Sequence, residues 1–399
     1  MSEDGTPTIG QNVRAARRFR GVSQAVLAGL IGRSTGWVSM VENGRLHLEK
    51  RSDIAAIAEA LEVAADDILG EPAPGIQARM RPLNLERLRQ ILHESSLDDP
   101  PDVSTRPVAV LADEVRSLDS ALRDARYEAM MGTLPGVLNE VHVSSVTAPE
   151  PDRGEALRLL IRTCALTVIM LRHFSQTDLA WISADRGRQA AARLGDPTWK
   201  AAAAFTSAHA RSSTNKSRAL MATPKIADEL EPHIGDDVFA HQVYGMLRLS
   251  AALACQVDRD HDSAKDHAEE AARLAAPLGD DPDAWELFGR SNVGVWRTSL
   301  AVEAEDPGKA LEYAAEVDLR SLASNNRRAA LAMEKARAFS MLSRAPQAVA
   351  ELRRAERLSS AQLRNEPLMR ELVASLLEQS LTTAVGRELR GIAWRMGVI

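Results

Sequence analysis

The chain of 399 residues contains little cysteine and few aromatic side chains. Its two cysteines, Cys164 and Cys255, are far apart in the sequence, which argues against a disulfide framework and against a cysteine-based metal site. Aromatic residues make up 4% of the chain and apolar residues as a group 45%. Alanine and leucine dominate the apolar residues and favour helices, so the composition predicts a helical protein with a mainly aliphatic core.

Long hydrophobic runs and catalytic signatures are also missing. The longest apolar run, Ala165 to Leu171, has the length of a buried helix, and no charged-then-apolar leader opens the chain. We therefore expect a cytoplasmic protein with no membrane partner. The sequence has no phosphate-binding glycine loop, no zinc-binding helix motif and no nucleophile elbow. We expect neither an enzyme nor a bound cofactor.

One group of acidic residues and histidines has the composition of a metal site. It comprises Asp258, Asp260, His261, Asp262 and His267. The group opens a predicted helix, where the helix dipole favours acidic side chains. We interpret it as a helix cap and expect no metal.

Basic charge is concentrated in one short segment. The whole chain has a formal net charge of −6, but the segment from Gly10 to Ser52 holds eight basic and two acidic residues. A local excess of positive charge is what contact with phosphates requires. The acidity must therefore lie elsewhere in the chain.

The segment from Ser23 to Gly44 predicts two short helices joined by a tight turn. Ser23 and Ser34 are suited to accept the unpaired N–H groups at the starts of helices 24–31 and 35–42. Gly32 ends the first helix, since glycine adopts positive φ without strain. In the second helix Val38 and Val41 face inward, opposite a side formed by Thr35, Gly36, Ser39, Met40 and Asn43. A short helix with small and polar groups on its outer side is suited to the DNA major groove.

This segment resembles the phage-repressor or XRE-type helix-turn-helix family over roughly residues 9–69. The matching residues occur in the family's order: Arg17, Ser23-Gln24, Leu27-Ala28, Gly32, Ser34, Val38-Ser39, Val41-Glu42-Asn43-Gly44, Ala58 and Leu61. The resemblance implies an ion pair between Arg17 and Glu42 beneath the recognition helix. It also implies base contacts by Thr35, Gly36, Ser39 and Met40. The chain departs from the family at Gly36, which has no side chain to read a base, and at Trp37, which we expect to pack on the core.

Phosphate contacts are expected on both sides of the recognition helix. The resemblance assigns them to Ser23, Gln24, Asn43 and the following loop. In that loop the basic residues Arg45, Lys50 and Arg51 are placed to meet phosphates. The alternative is a loop that is merely solvated.

The remaining pattern predicts an all-α fold in three parts, namely an N-terminal domain, a linker and a C-terminal helical domain. Further helices are expected over 9–20, 53–61 (capped by Ser52) and 66–69, which gives a five-helix repressor-like domain over residues 1–70. GEPAPG at 70–75 and DDPPD at 98–102 are breaks, so residues 71–105 are expected to be a linker with a connecting helix at 83–93. Residues 106–399 show helical periodicity almost throughout. Alternating valines at 140–146 leave open a short strand or the end of a helix.

Similar helix starts recur in the C-terminal part. Ala264, Ala310 and Ala348 occupy matching places, 46 and 38 residues apart, in alanine-rich helices. A period of about forty residues is typical of an α-solenoid, and these segments resemble degenerate tetratricopeptide hairpins. A set of polar and aromatic residues on two of these helices is a candidate effector site: Arg290, Asn292, Trp296, Arg297, Asn326 and Arg327. Ordinary hydrogen bonding between helices explains that set equally well.

The combined layout resembles a class of actinobacterial transcription regulators and the plan of peptide-sensing regulators of Gram-positive bacteria. The likeness implies a homodimer that binds a pseudo-palindromic operator in double-stranded DNA, controlled by a small-molecule or peptide effector. Two other classes stay open. A protein-interaction adaptor would show no salt-sensitive duplex binding, and an enzyme regulated by its N-terminal domain would need an assay to reveal it.

Overall fold

The computed structural model describes residues 8–70, 85–210, 220–379 and 383–399, and over these residues the regular structure is helical. The all-α prediction is confirmed. The alternating valines at 140–146 lie inside the helix Tyr127–Thr147, so the strand alternative is wrong. Its buried residues Leu134, Leu138 and Val141 are three and four apart, which is helical spacing. None of the described helices is long and apolar enough to span a membrane.

The N-terminal part, which we call the head (residues 8–70), contains five helices. They are α1 (Ile9–Phe19), α2 (Gln24–Leu30), α3 (Thr35–Glu42), α4 (Arg51–Ala60) and α5 (Ala65–Leu69). Ser23 and Ser34 cap α2 and α3 by accepting the N–H groups of Val26 and Trp37, at 3.2 and 3.1 Å. Helices α1 and α3 approach closely at Gly10, where a Cβ would lie 2.0 Å from the carbonyl oxygen of Val41.

The predicted cap of α4 is wrong. Ser52 lies inside the helix and is buried, and Lys50 stands at the N-cap without a side-chain hydrogen bond. Instead the N–H of Arg51 donates to the carboxylate of Glu303, at 3.2 Å. A carboxylate at a helix start satisfies an N–H that has no partner within the helix and is favoured by the dipole. The cap therefore comes from a residue 252 positions away.

The rest of the described chain, which we call the body (residues 85–399), is built from sixteen further helices. They are α6 (Leu85–Glu94), α7 (Val108–Arg123), α8 (Tyr127–Thr147), α9 (Asp152–His173), α10 (Thr177–Leu194), α11 (Pro197–Ala210), α12 (Thr223–Leu230), α13 (Val238–Val257), α14 (His261–Leu278), α15 (Arg290–Glu303), α16 (Pro307–Glu316), α17 (Asn325–Met341), α18 (Ala345–Leu358), α19 (Ser360–Asn365), α20 (Pro367–Leu377) and α21 (Thr383–Met396). The helix predicted to connect the domains is α6. Its buried leucines pack in the same core as α7 to α10.

One tight turn recurs between helices of the body. At five places a single non-glycine residue has φ between 53° and 64°: Ala125, Ser175, Arg259, Glu305 and Ser343. In each case its N–H donates to the carbonyl three residues earlier, and the next N–H donates to the carbonyl five residues before it. This hydrogen-bond pattern closes one helix and reverses the chain into the next. The body is therefore a series of helical hairpins.

The alanines that suggested a repeat stand at equivalent positions after these turns. Ala180, Ala264, Ala310 and Ala348 each lie five residues after the positive-φ residue of their turn, and all four are buried. A small side chain there lets the two helices of a hairpin approach closely. The alanine pattern thus marks the hairpins correctly.

The head is docked on the body. Helix α4 packs against α13, and a single hydrophobic cluster joins the head core to residues of α17, α18 and the helices after them. Basic residues of the loop after α3 meet acidic residues of the body. The junction is therefore both apolar and ionic, and a cavity lies within it.

Candidate functional site

The outer side of α3 is open. Thr35, Gly36 and Met40 are exposed, Met40 by 43%, and Ser39 is half-buried. Val38 and Val41, on the opposite side, are each 1% exposed and hold the helix on the head core. The body does not cover the side of α3 that was predicted to read bases. Trp37 is half-buried against the head core, with the Arg33 guanidinium 5.3 Å from its ring.

A buried ion pair fixes α3 on the helices before it. Arg17 donates to both carboxylate oxygens of Glu42, with Nη2 2.9 Å from Oε2, and its Nη1 donates to the carbonyl of Val22 at 2.7 Å. Gln24 Nε2 also donates to Glu42 Oε2, at 2.8 Å. Burial alone would raise the pKa of Glu42, but the hydrogen bonds from Arg17 and Gln24 hold it below its ordinary value. Glu42 is therefore a charged group that orients α3.

The predicted phosphate contacts fall into two sets, of which the first lies near the open side of α3. Ser23 is exposed with its hydroxyl capping α2, and exposed Asn43 donates to the carbonyl of Ser39 at 2.8 Å. Arg45 is exposed, and no carboxylate of the described residues lies within 4.0 Å of it. Gln24 is half-buried, with its amide committed to Glu42. Arg45 is the cation of this set that is open to a ligand.

The second set, Lys50 and Arg51, lies in the junction. Lys50 forms an ion pair with Glu305, and Arg51 Nη1 donates to Glu303 Oε1 at 2.7 Å. Arg337 joins the same group, with Nη2 2.8 Å from Glu303 Oε1. In this arrangement neither Lys50 nor Arg51 is open to a phosphate, because acidic residues distant in sequence already bind them. These acidic partners lie more than 250 residues away along the chain and are marked by no local pattern near Lys50 and Arg51, so they were not predicted from the sequence.

His47, in the same loop, is also bound to the body. Its Nδ1 lies 3.0 Å from Glu371 Oε2 and its Nε2 lies 3.2 Å from Glu378 Oε1. The hydrogen bond with Glu371, together with both carboxylate charges, raises the pKa of His47 to about 9 despite its partial burial. The imidazole is therefore a cation at neutral pH and donates from both nitrogens.

A cavity of about 1100 Å³ lies between head and body. Three of the six candidate effector residues line it, namely Trp296, Asn326 and Arg327. Asn326 is already hydrogen-bonded on both sides, to Tyr127 at 2.7 Å and to the carbonyl of Leu122 at 2.6 Å.

The other three candidates serve the packing of the body. Arg290 Nε donates to the carbonyl of Ala276 at 2.8 Å. Asn292 donates to the carbonyl of Glu286 at 2.9 Å, and Arg297 donates to the hydroxyl of Tyr313 at 3.0 Å. The polar side chains of these three residues are therefore explained by hydrogen bonds within the body.

The acidic group at 258–267 begins a helix. Asp260 is the N-cap of α14 and accepts the N–H of Ser263 at 3.1 Å. Within the described parts of the chain, no three His, Cys, Asp or Glu side chains are grouped so that they would hold a metal ion. Both cysteines are buried and free.

Comparison with known protein families gives a match that covers the head. Residues 8–69 match the family model described as a helix-turn-helix domain. Comparisons of the chain with curated proteins and with solved structures gave no match. The five helices of the head, with α2 and α3 joined through the turn at Gly32, are therefore a helix-turn-helix domain.

Proposed function

We propose that this protein is a sequence-specific transcription regulator of the XRE type that binds double-stranded DNA and has no enzymatic activity. The observation that carries the proposal is the open side of α3, with Thr35, Gly36 and Met40 exposed while the ion pair of Arg17 and Glu42 holds the helix from below. A rigid helix with uncovered small and polar groups is what base reading in the major groove requires.

Positive charge beside α3 supports phosphate binding. Arg45 follows α3 directly, and Arg18 is a second exposed cation of the head. Exposed cations gain affinity for DNA through the release of counterions. The excess of basic over acidic residues lies between Gly10 and Ser52, so this part of the head is the part suited to attract phosphates.

A homodimer fits the exposed apolar residues of the head. Val26 and Leu30 are 54% and 61% exposed, and as residues four apart on α2 they lie on one face. Contiguous exposed apolar surface marks interaction sites. Two heads related by a two-fold axis would meet half-sites one helical turn apart, or a multiple of it, in a pseudo-palindrome.

Control by a small-molecule or peptide effector is supported by the position of the cavity. Its walls come from both the head and the body, so a bound molecule contacts both. An effector shifts an equilibrium only as far as it prefers one state, and a molecule held between two parts can prefer their docked arrangement. The degenerate tetratricopeptide-like hairpins of the body would then be the effector-binding part.

The test is selection of bound duplexes from a random pool by the full-length protein. We expect a pseudo-palindromic motif with half-sites about ten base pairs apart, or a multiple of that spacing. The matched variant is Met40→Ala, which removes an exposed side chain without disturbing the core. It should change the preference at one position of each half-site, because Met40 can contact a base edge only through its apolar atoms.

Two outcomes would contradict the proposal. Recovery of no motif, with binding that does not depend on salt, would favour the adaptor over the regulator. A Met40→Ala protein that selects the same motif with uniformly weaker binding would remove Met40 from the reading face.

A further inference from the structure

Part of the cavity wall between head and body is aromatic. Phe205, His209, Trp285 and Trp296 all line it. The ring centres of Phe205 and Trp285 are 5.0 Å apart, those of Phe205 and His209 4.3 Å, and those of His209 and Trp296 6.3 Å. The indole N–H of Trp296 is buried and has no acceptor among the described residues. In a chain with so few aromatic residues, this is a concentrated surface for a flat apolar group.

Guanidinium groups line another part of the wall. Arg162, Arg172 and Arg327 line the cavity, and of the three only Arg327 has a carboxylate of the described residues within 4.0 Å, that of Glu286 at 3.4 Å. Burial lowers the pKa of Arg172, the charges of Glu366 and Glu286 oppose that shift, and the charge of Arg327 adds to it. His173 is adjacent, and burial together with these two cations lowers its pKa to about 3. Three guanidinium groups therefore line this part of the wall, and within the described residues the carboxylate of Glu286 is the one within 4.0 Å of any of them.

Of the seven other acidic residues of the lining, Asp66 is half-buried, and the remaining six are engaged elsewhere or lie at the outer surface. Glu59, Glu62 and Asp258 are exposed. Asp119 pairs with Arg123 at 3.1 Å, Glu334 pairs with Arg337 at 2.7 Å, and Glu366 lies 3.9 Å from Arg51. Desolvated cations that lack partners are unfavourable, and an anion in their midst relieves that cost.

We propose that this cavity binds a small aromatic carboxylate, with its ring against Phe205, Trp285 and Trp296 and its carboxylate on Arg172 and Arg327. Arginine suits this role because its planar group binds a carboxylate through two parallel hydrogen bonds. The proposal deepens the proposed function and rests on it, since it names the chemical class of the effector.

The ligand would bind best to the docked arrangement. Ile54, Ala55 and Ala58 of α4 belong to the head and form part of the same wall. A ligand that touches α4 as well as the body stabilises their contact by mass action. Occupancy of the cavity therefore controls how firmly the head is held.

The binding test uses the full-length protein without DNA. Indole-3-acetate, 3-phenylpropanoate and 2-naphthoate are each compared with the corresponding neutral amide by titration calorimetry and by thermal unfolding. We expect at least one carboxylate to raise Tm and to bind about ten-fold or more tightly than its amide. The variant Arg172→Gln should abolish that preference, and the matched control Arg290→Gln should keep it, because Arg290 is exposed and outside the cavity lining.

The comparison of carboxylate with amide in the unaltered protein does not depend on how well the variants fold. The ligand proposal is overturned if no carboxylate binds better than its amide, or if Arg172→Gln keeps the preference. Duplex selection on the same samples is scored separately. Duplex binding without carboxylate preference refutes this proposal alone, and carboxylate binding without duplex binding refutes the proposed function while the cavity assignment stands.

Discussion

The segment that links α3 to the start of α4 carries positive charge in two stretches with different surroundings. One stretch is Arg45, and the other runs from His47 to Arg51, the first residue of α4. Arg45 is exposed beside α3. His47, Lys50 and Arg51 are bound by Glu371, Glu305 and Glu303 of the body. The positive charge of the head thus serves two purposes: part is available to an outside partner, and part fastens the head to the body.

The difference lies in solvent exposure. Cations at a surface interact with phosphates through long-range, salt-dependent attraction. The pair of Arg51 and Glu303 is largely removed from water, so salt screens it little, and the loss of Glu303 would leave Arg51 with more distant carboxylates, those of Glu334 at 3.6 Å and Glu366 at 3.9 Å. Net charge of a segment, read from sequence, does not separate these cases.

The largest expected effect is on the junction itself. Glu303→Ala removes a side chain that is 0% exposed and that binds both Arg51 and Arg337. It should lower the free energy of unfolding by about 3 kcal/mol, because two guanidinium groups lose one of their buried carboxylates while Glu334 stays within 2.7 Å of Arg337 and 3.6 Å of Arg51. Denaturant unfolding of the full-length protein measures this loss.

The matched control is Glu305→Ala, two residues further along. Glu305 is 57% exposed and pairs with Lys50, so its loss should cost less than about 1 kcal/mol. If the two variants lost the same free energy of unfolding, the buried ion pair of Glu303 would be no more stabilising than the surface ion pair of Glu305.

A smaller effect is expected from pH. The pKa of His47 rises from its ordinary value to about 9 in the docked head, where it faces Glu371 of α20, Glu378 directly after α20, and Glu49 of its own loop. A raised pKa means that the contribution is fully present below about 6.5 and is lost as pH rises through 9. We expect a loss of about 1–2 kcal/mol over that range, reduced by the exposure of Glu378. His47→Gln should flatten the pH profile of unfolding, and a profile that persists in this variant would assign the titration to another group.

The smallest expected effect concerns DNA binding. Arg45→Ala should reduce the slope of log K against log salt by about 0.9, the value for one lost phosphate contact. Lys50→Ala should leave that slope unchanged, because Lys50 already pairs with Glu305. Filter binding or anisotropy over a range of salt concentrations measures both. An equal drop in the two variants would mean that the head leaves the body on DNA.

The head was predictable because its determinants are local. Ser23 and Ser34 cap helices a few residues away, Gly32 ends α2, and Arg17 meets Glu42 within one small domain. Ser52 is the exception, since the cap of α4 comes from Glu303. A capping residue supplied from across the molecule leaves no pattern near the helix it caps.

The hairpins of the body were partly visible through Ala264, Ala310 and Ala348. The turns between the helices were not visible in the sequence. Glycine at a positive-φ position would have indicated a turn, but these positions hold residues such as Arg259 and Glu305. Placing a side chain there costs on the order of 1 kcal/mol, which the packing of each hairpin offsets.

The cavity was the least predictable feature. Sequence pattern picked out Trp296 and Arg327, which lie near helix starts rich in polar residues. Arg172 and Phe205 were missed, because they lie in apolar helical stretches that read as ordinary core. Which helix faces meet across a cavity depends on the curvature of the whole series of hairpins.

Glu303 has a consequence for how the two parts of this protein can be recombined. In a head separated from its body, the backbone N–H and the guanidinium group of Arg51, at the start of α4, would lose the carboxylate of Glu303 that they bind here. Grafting the head onto another body would therefore require a glutamate at the same place. In this molecule the fourth helix of the head takes its cap from the body, so protein engineering should treat head and body as one unit.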